Sequence, residues 1–166
     1  MQRRTLLLAI PAASLAGCGF QPRGAASFNF AFQSVFSGFI PNSLLGQEFK
    51  RQAIAQGLTV LDAAADANKA QVVLRINQEL RERAVVGTGA TGQVNAIQLR
   101  IRFKFSLFTT QGKALLEEVE LYQQRDMSYS ESAALAKEAE EQLLYSDMQL
   151  ELVQQLLRRL SAVKAL

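Results

Sequence analysis

The sequence has no histidine and only one cysteine in 166 residues. Histidine is the commonest general base and the commonest metal ligand. Its absence removes serine–histidine and cysteine–histidine nucleophiles and zinc–histidine sites. The chain is therefore read as a non-enzyme that needs no metal and no dissociable cofactor. A single cysteine cannot close an internal disulfide, and an odd one in an exported chain requires its own explanation. Long apolar runs are also missing. Beyond residue 18 none approaches the roughly 20 residues of a membrane-spanning helix, so the chain after that point is expected to cross no bilayer as a helix.

What is present begins with an export pattern. Arg3 and Arg4 make a short basic start, an apolar stretch follows over residues 6–15 with Pro11 inside it, and small residues come next. This is the layout of a secretory signal. Leu15-Ala16-Gly17-Cys18 closely resembles the lipobox of bacterial lipoproteins. That resemblance implies cleavage before Cys18, a diacylglycerol on its thiol and an acyl chain on its new amine. One acyl chain anchors only marginally, whereas several on one residue hold a protein to a membrane essentially permanently. Gly19, where aspartate would favour retention at the inner membrane, is permissive for the outer membrane by the same resemblance.

Cutting 17 residues from 166 leaves 149, about the size of one domain. Domain limits are thus set at 1–17 for the signal and 18–166 for a single domain. The net charge of +3 is largely a property of the signal: without Arg3 and Arg4, two of the 18 basic residues, 16 remain against 15 acidic ones. A basic chain normally raises nucleic-acid binding. Here the excess leaves with the signal, and no nucleic-acid partner is expected.

Periodicity divides the rest. Residues 25–36 alternate, with Phe28, Phe30, Phe32 and Phe36 on one parity and Asn29, Gln33 and Val35 on the other, which predicts a half-buried strand. Pro41-Asn42-Ser43 is turn chemistry with an N-cap at Asn42 or Ser43. Leu45, Phe49 and Ala53 then recur every four residues up to Gly57, predicting a helix over 43–56. Residues 58–61 form a short extended segment, and 63–70 a loop or frayed turn. Residues 71–82 alternate again, with Val72, Leu74, Ile76 and Leu80 on one face and Gln71, Arg75, Asn77 and Glu79 on the other. A mobile hairpin loop is read over 83–94 from Gly87, Gly89 and Gly92. The clearest strand is 95–108, with Ile97, Leu99, Ile101, Phe103, Phe105 and Leu107 on the core face and Gln98, Arg100, Arg102, Lys104 and Ser106 on the other. A fourth strand over 115–129 turns Val119 and Leu121 inward and Glu118 and Glu120 outward. A long helix over 130–166 carries Ala136, Ala139, Leu143, Leu150, Val153, Leu157 and Leu160 as its apolar stripe, widened by Leu144, Met148, Leu152 and Leu156.

The order β-α-β-β-β-α predicts an α+β, two-layer domain: a four-stranded mixed sheet with two helices packed on one face. The other face is then polar. On it Arg100, Arg102 and Lys104 stand about 7 Å apart along one strand and can hold phosphate groups, with Arg75 on the neighbouring strand. The competing reading is a solvated face that pairs these cations with Glu118 and Glu120 at little energetic gain. Glu138, Glu140 and Glu141 lie on a solvated helix face rather than in an acid–base site. Gly87, Gly89 and Gly92 have the spacing G-x-G-x-x-G, but a strand follows them where a dinucleotide site needs a helix.

Two stretches carry a family resemblance. One is Cys18-Gly19-Phe20-Gln21-Pro22-Arg23-Gly24. The other is Leu135-Ala136-Lys137-Glu138-Ala139-Glu140-Glu141, followed by Met148 and by Gln154-Gln155-Leu156-Leu157-Arg158-Arg159-Leu160. With Gly57-Leu58 and the order of elements, they resemble the LptE family of lipopolysaccharide-assembly lipoproteins over residues 18–162. The resemblance implies a lipid-anchored protein on the periplasmic face of the outer membrane. It implies a plug and assembly partner for a β-barrel of LptD type, in contact with lipopolysaccharide. It places a lipopolysaccharide-contacting lysine at Lys137. The family's contacting arginine, in the loop before the third strand, has no counterpart over 84–94; Arg81, Arg83 and Arg100 are the basic residues at hand. Where the family often has proline near the start of the last helix, Glu131 and Ser132 stand here. The alternative function is an auxiliary lipoprotein of a lipid-transport ABC system with no barrel partner.

Overall fold

The strongest alternation in the chain makes its most buried surface. In the computed structural model, which describes residues 28–164, strand β4 (Val94–Thr109) turns Ile97, Leu99, Ile101, Phe103, Phe105 and Leu107 inward, each at most 1% exposed. Burying each of these side chains contributes about 1.5–3 kcal/mol. The signal segment, Cys18 and the 18–24 motif lie outside the described residues.

Around β4 stand β1 (Ser34–Gly38), β2 (Thr59–Leu61), β3 (Val72–Thr88) and β5 (Ala114–Ser128), in the sheet order β2-β1-β3-β4-β5. β1 is parallel to β2 and β3, whereas β3, β4 and β5 form an antiparallel meander. The sheet is therefore mixed, within a single α+β domain, and has five strands where the sequence pattern predicts four. The fifth is β2. Its three residues are too few to display a period of two, and pairing with β1 rather than intrinsic pattern makes it a strand.

Helix α1 (Leu44–Ala55) starts where Ser43 caps it by accepting a 3.0 Å hydrogen bond from the Gly46 N–H. Leu45, Phe49 and Ala53 form its buried stripe, and Gly57, at φ +86°, ends it. Helix α2 (Ala134–Ser161) follows a 3-10 turn at Glu131–Ala133, so it begins four residues later than its pattern predicts. The buried stripes of both helices join the odd-numbered face of β4, together with Leu121 and Met127 of β5, in one core cluster. Phe39 stacks on Phe103 at 5.6 Å between ring centroids and sits 5.7 Å from Phe49, joining α1 to β4.

Four sequence expectations change. The described part of the expected 25–36 strand, residues 28–36, is not one strand: a bend at Gln33 shifts parity, so Phe32 and Val35 are both buried while Phe36 is half-buried. The expected loop over 83–94 is mostly strand, with β3 reaching Thr88, β4 starting at Val94 and Gly92 (φ +80°) in the turn between them. In α2, Leu143 and Leu150 are exposed, whereas the rest of the expected stripe from Met148 on (Leu152, Val153, Leu156, Leu157 and Leu160) is buried and Tyr145 joins it. Finally, the pairing of β3 with β4 slips between Ile76 and Gln78. Such a bulge inserts one unpaired residue and reverses which face the later side chains take. Leu80 therefore stands opposite Arg102 on the polar face, and Glu79, Arg81 and Arg83 stand opposite Phe103, Ile101 and Leu99 on the helix-bearing side.

Candidate functional site

The even-numbered residues of β4 lie on the sheet face away from the core. Gln98, Arg100, Arg102 and Lys104 stand opposite Ala84, Glu82, Leu80 and Gln78 of β3 and opposite Asp126, Gln124, Tyr122 and Glu120 of β5. The three cations are thus brought onto one face as their spacing predicts. Their charges are largely answered within the sheet. The Arg102 Nε lies 3.5 Å from Glu120, and the Lys104 Nζ is 3.6 Å from both Glu118 and Glu120. Arg100 has no carboxylate within ion-pair distance among the described residues and donates to Gln98 at 2.6 Å, which in turn donates to Asp126 at 2.7 Å. Asn77, in the bulge, donates to Ser106 and Glu118, each at 2.9 Å. The result is a continuous ladder of exposed and half-exposed hydrogen-bonding groups across three strands.

Lys137 is elsewhere. It sits in the first turn of α2, with its side chain 19% exposed, and its Nζ donates to Ser128 at 2.9 Å and to Glu140 at 2.8 Å. Ser128 pairs with Ala96 at the far end of β4. That is four residues before Arg100, about 13 Å along the strand. Lys137 and the β4 cations are therefore separate groups.

The bulge builds a third basic group that the alternation of 71–82 does not reveal. Arg83 pairs with Glu141 of α2 at 3.1 Å and lies over the Tyr129 ring, 5.4 Å from its centroid. Arg81 lies over the Tyr145 ring at 5.0 Å. The Tyr145 hydroxyl donates to the Glu82 carbonyl at 2.9 Å. Burial, helped by the nearby Glu141 charge, pushes this phenol above its ordinary range against the opposing pull of Arg81 and Arg83. With Glu141 one turn after Lys137, Arg83 and Lys137 stand near one another around the start of α2. A bulge is visible only as pairing, so a single sequence carries no direct sign of it.

Among the described residues no cluster of three carboxylate, thiol or imidazole side chains is placed to hold a metal, and no helix is long and apolar enough to cross a membrane.

The family model described as lipopolysaccharide-assembly LptE matches residues 32–160, which takes in every strand and nearly all of α2. The chain belongs to the LptE family. Membership carries a role in lipopolysaccharide assembly. Three solved structures similar to this LptE-family chain are described as lipoproteins. The solution structure of an uncharacterised lipoprotein B from Nitrosomonas europaea is 29% identical, with a TM-score of 0.67 over 87% of this chain and 91% of that one. The rare lipoprotein B of Shewanella oneidensis shares 22% identity and a TM-score of 0.64, covering 78% and 94% of the two chains. A minor lipoprotein of Acinetobacter baumannii gives 21% and 0.65, covering 81% and 94%. The latter two similarities speak to fold alone. No curated protein matches the chain significantly. The matched span contains Lys137, Arg83 and all of β4 and stops short of Cys18.

Proposed function

We propose that this LptE-family chain is a lipid-anchored, non-catalytic component of the outer membrane that seats inside a β-barrel of LptD type and contacts lipopolysaccharide passing through it. Cys18, modified by a diacylglycerol and an N-acyl chain, brings the domain to the membrane where its partner assembles. The observation that carries the reading is the polar face of β3, β4 and β5. A barrel lumen is polar, and a domain seated in it needs an outer surface rich in donors and acceptors. Gln98, Arg100, Arg102 and Lys104 of β4, Glu118 and Glu120 of β5, and Asn77 of β3 supply one three strands wide.

Lipopolysaccharide phosphates are assigned to Lys137 and to Arg100, Arg102 and Lys104. Among the described residues Arg100 is the member of the β4 group without a carboxylate partner, so it gives up least on taking a phosphate. Arg102 and Lys104 exchange their partners Glu120 and Glu118, pairs whose exposed geometry makes them weak.

The test is a crosslinking pull-down from cells producing the lipidated protein. Recovery of an LptD-type barrel supports the reading. Recovery of inner-membrane transporter subunits alone favours the auxiliary ABC-system lipoprotein. For the ligand, Lys137→Asp combined with Arg100→Glu weakens lipopolysaccharide binding; unchanged binding removes these residues from the site. Acyl label retained on Cys18→Ala would refute the lipid assignment.

A further inference from the structure

Unpaired charges are sorted by sign along the length of the domain. At one end β3 starts at Val72, β4 stops at Thr109, and the turn into β5 carries Lys113. α2 starts at the other end, where Lys137 donates to Ser128. Its 28 residues run about 42 Å, so Arg158 and Arg159 in its last turn lie toward the Thr109 end. Arg75, exposed near the start of β3, points the same way, with its guanidinium 4.4 Å from the centroid of the Phe108 ring. Among the described residues none of these four cations has a carboxylate partner. At their end Asp66 and Glu118 are already held by Lys69 and Lys104, which leaves Glu117 as the unpaired acid. The other end is reversed. There Lys137 and Arg83 are answered by Glu140 and Glu141, while Asp126, Glu131 and Glu138 have no cation within ion-pair distance among the described residues. A helix dipole favours cations in a last turn. That accounts for Arg158 and Arg159, but not for Lys113 in a turn or Arg75 in a strand.

The chain enters the domain at the basic end. The Phe28 N–H donates to Gln56, just past α1, and the Gln33 N–H donates to Gln71, just before β3. Phe28 stands ten positions after Cys18, and ten residues reach at most about 36 Å. A lipid on Cys18 keeps this end within that reach of a membrane.

We propose that the basic end rests on anionic phospholipid headgroups, an inference that takes the lipid anchor of the proposed function as given. Arg75, Lys113, Arg158 and Arg159 face the phosphates, and the acyl chains on Cys18 make the second attachment. The cations come from a strand, a turn and a helix, on both faces of the sheet. That spread suits a surface of many phosphates, whereas a single phosphate needs donors converging on one point. Contact through one end stands the strands along the membrane normal and leaves the polar face of β4 open to the side.

The test uses the full mature chain carrying Cys18→Ser, because acyl chains would hold every variant to a vesicle. Sedimentation is expected with phosphatidylcholine vesicles containing about 30% phosphatidylglycerol, to weaken as salt rises, and to be absent with phosphatidylcholine alone. Each cation at such a surface is worth roughly fivefold in binding, so Arg158→Gln with Arg159→Gln should bind at least tenfold more weakly and Lys113→Gln about fivefold. Arg81→Gln, which removes one charge away from this end, should stay within about twofold of the parent. Equal binding to both vesicles, an equal loss from Arg81→Gln and Lys113→Gln, or release by inorganic phosphate at constant ionic strength would each overturn the proposal. Acyl label is followed separately on the unsubstituted protein. Label on Cys18 without a preference for anionic vesicles overturns this inference and leaves the anchor standing.

Discussion

Ser43 and Glu79 meet across 36 residues of chain: the Ser43 hydroxyl donates to the Glu79 carboxylate, 2.9 and 3.0 Å from its two oxygens, while accepting from the Gly46 N–H. One hydroxyl thus caps α1 and ties it to β3. The tie exists only because the bulge at Asn77 turns Glu79 to the helix side. Replacing Ser43 by alanine removes the cap and leaves a half-buried carboxylate without its donor. A loss of about 2 kcal/mol is expected from the cap and the hydrogen bond together. Urea unfolding measures it, and the double variant Ser43→Ala with Glu79→Ala should lose less than the two single losses combined. Strict additivity would show that the two residues act separately.

That bulge also marks the limit of what the sequence discloses. The helix over 44–55, the buried face of β4 and the cations opposite it are readable because each rests on a repeat that runs unbroken through its own segment. β3 is different. Its alternation predicts Leu80 inside and Glu79 outside, and one inserted residue reverses both. The basic group of Arg81 and Arg83 follows from that reversal and stays hidden with it. The exposed Leu143 and Leu150 mislead in another way. Their spacing is helical, but the buried side of α2 runs through Tyr145, Met148, Leu152, Val153, Leu156, Leu157 and Leu160, and Leu143 and Leu150 fall at its edge.

The β4 cations should matter little to stability. Arg102 and Lys104 form half-exposed pairs with Glu118 and Glu120 at 3.5–3.6 Å. Arg102→Gln or Lys104→Gln is expected to shift unfolding by less than about 0.5 kcal/mol. A cell-envelope defect in either variant, with unfolding midpoints unchanged, would therefore come from lost contacts with a ligand or partner. A large drop in stability would show that the ladder supports the fold.

Gly38 closes the parallel side of the sheet. A Cβ there would run into the backbone carbonyl of Leu74 on β3, and a backbone atom in a paired strand cannot move aside cheaply. Gly38→Ala is expected to cost about 3 kcal/mol. Gly57→Ala meets no atom within 4 Å and suffers only from its φ of +86°, at about 1 kcal/mol. Thermal unfolding of the two variants should preserve that order; the reverse order would mean that β1 and β3 separate more readily than their pairing implies.

Tyr145 links α2 to β3 through its hydrogen bond to the Glu82 carbonyl, and burial raises its folded pKa above the ordinary value of about 10. As pH rises, the phenol ionises first in the unfolded chain. The stability it contributes is therefore complete below about pH 10 and is lost as pH climbs through the folded value. Tyr145→Phe keeps the ring beneath Arg81 but lacks the hydroxyl, so at neutral pH it should be less stable by about 1 kcal/mol. It should also escape the alkaline loss. Urea midpoints for the two proteins, followed from neutral pH to about pH 11, are expected to converge at the alkaline end. Parallel curves would mean that the alkaline loss arises from other groups and that Tyr145 stays coupled to Glu82 without titrating.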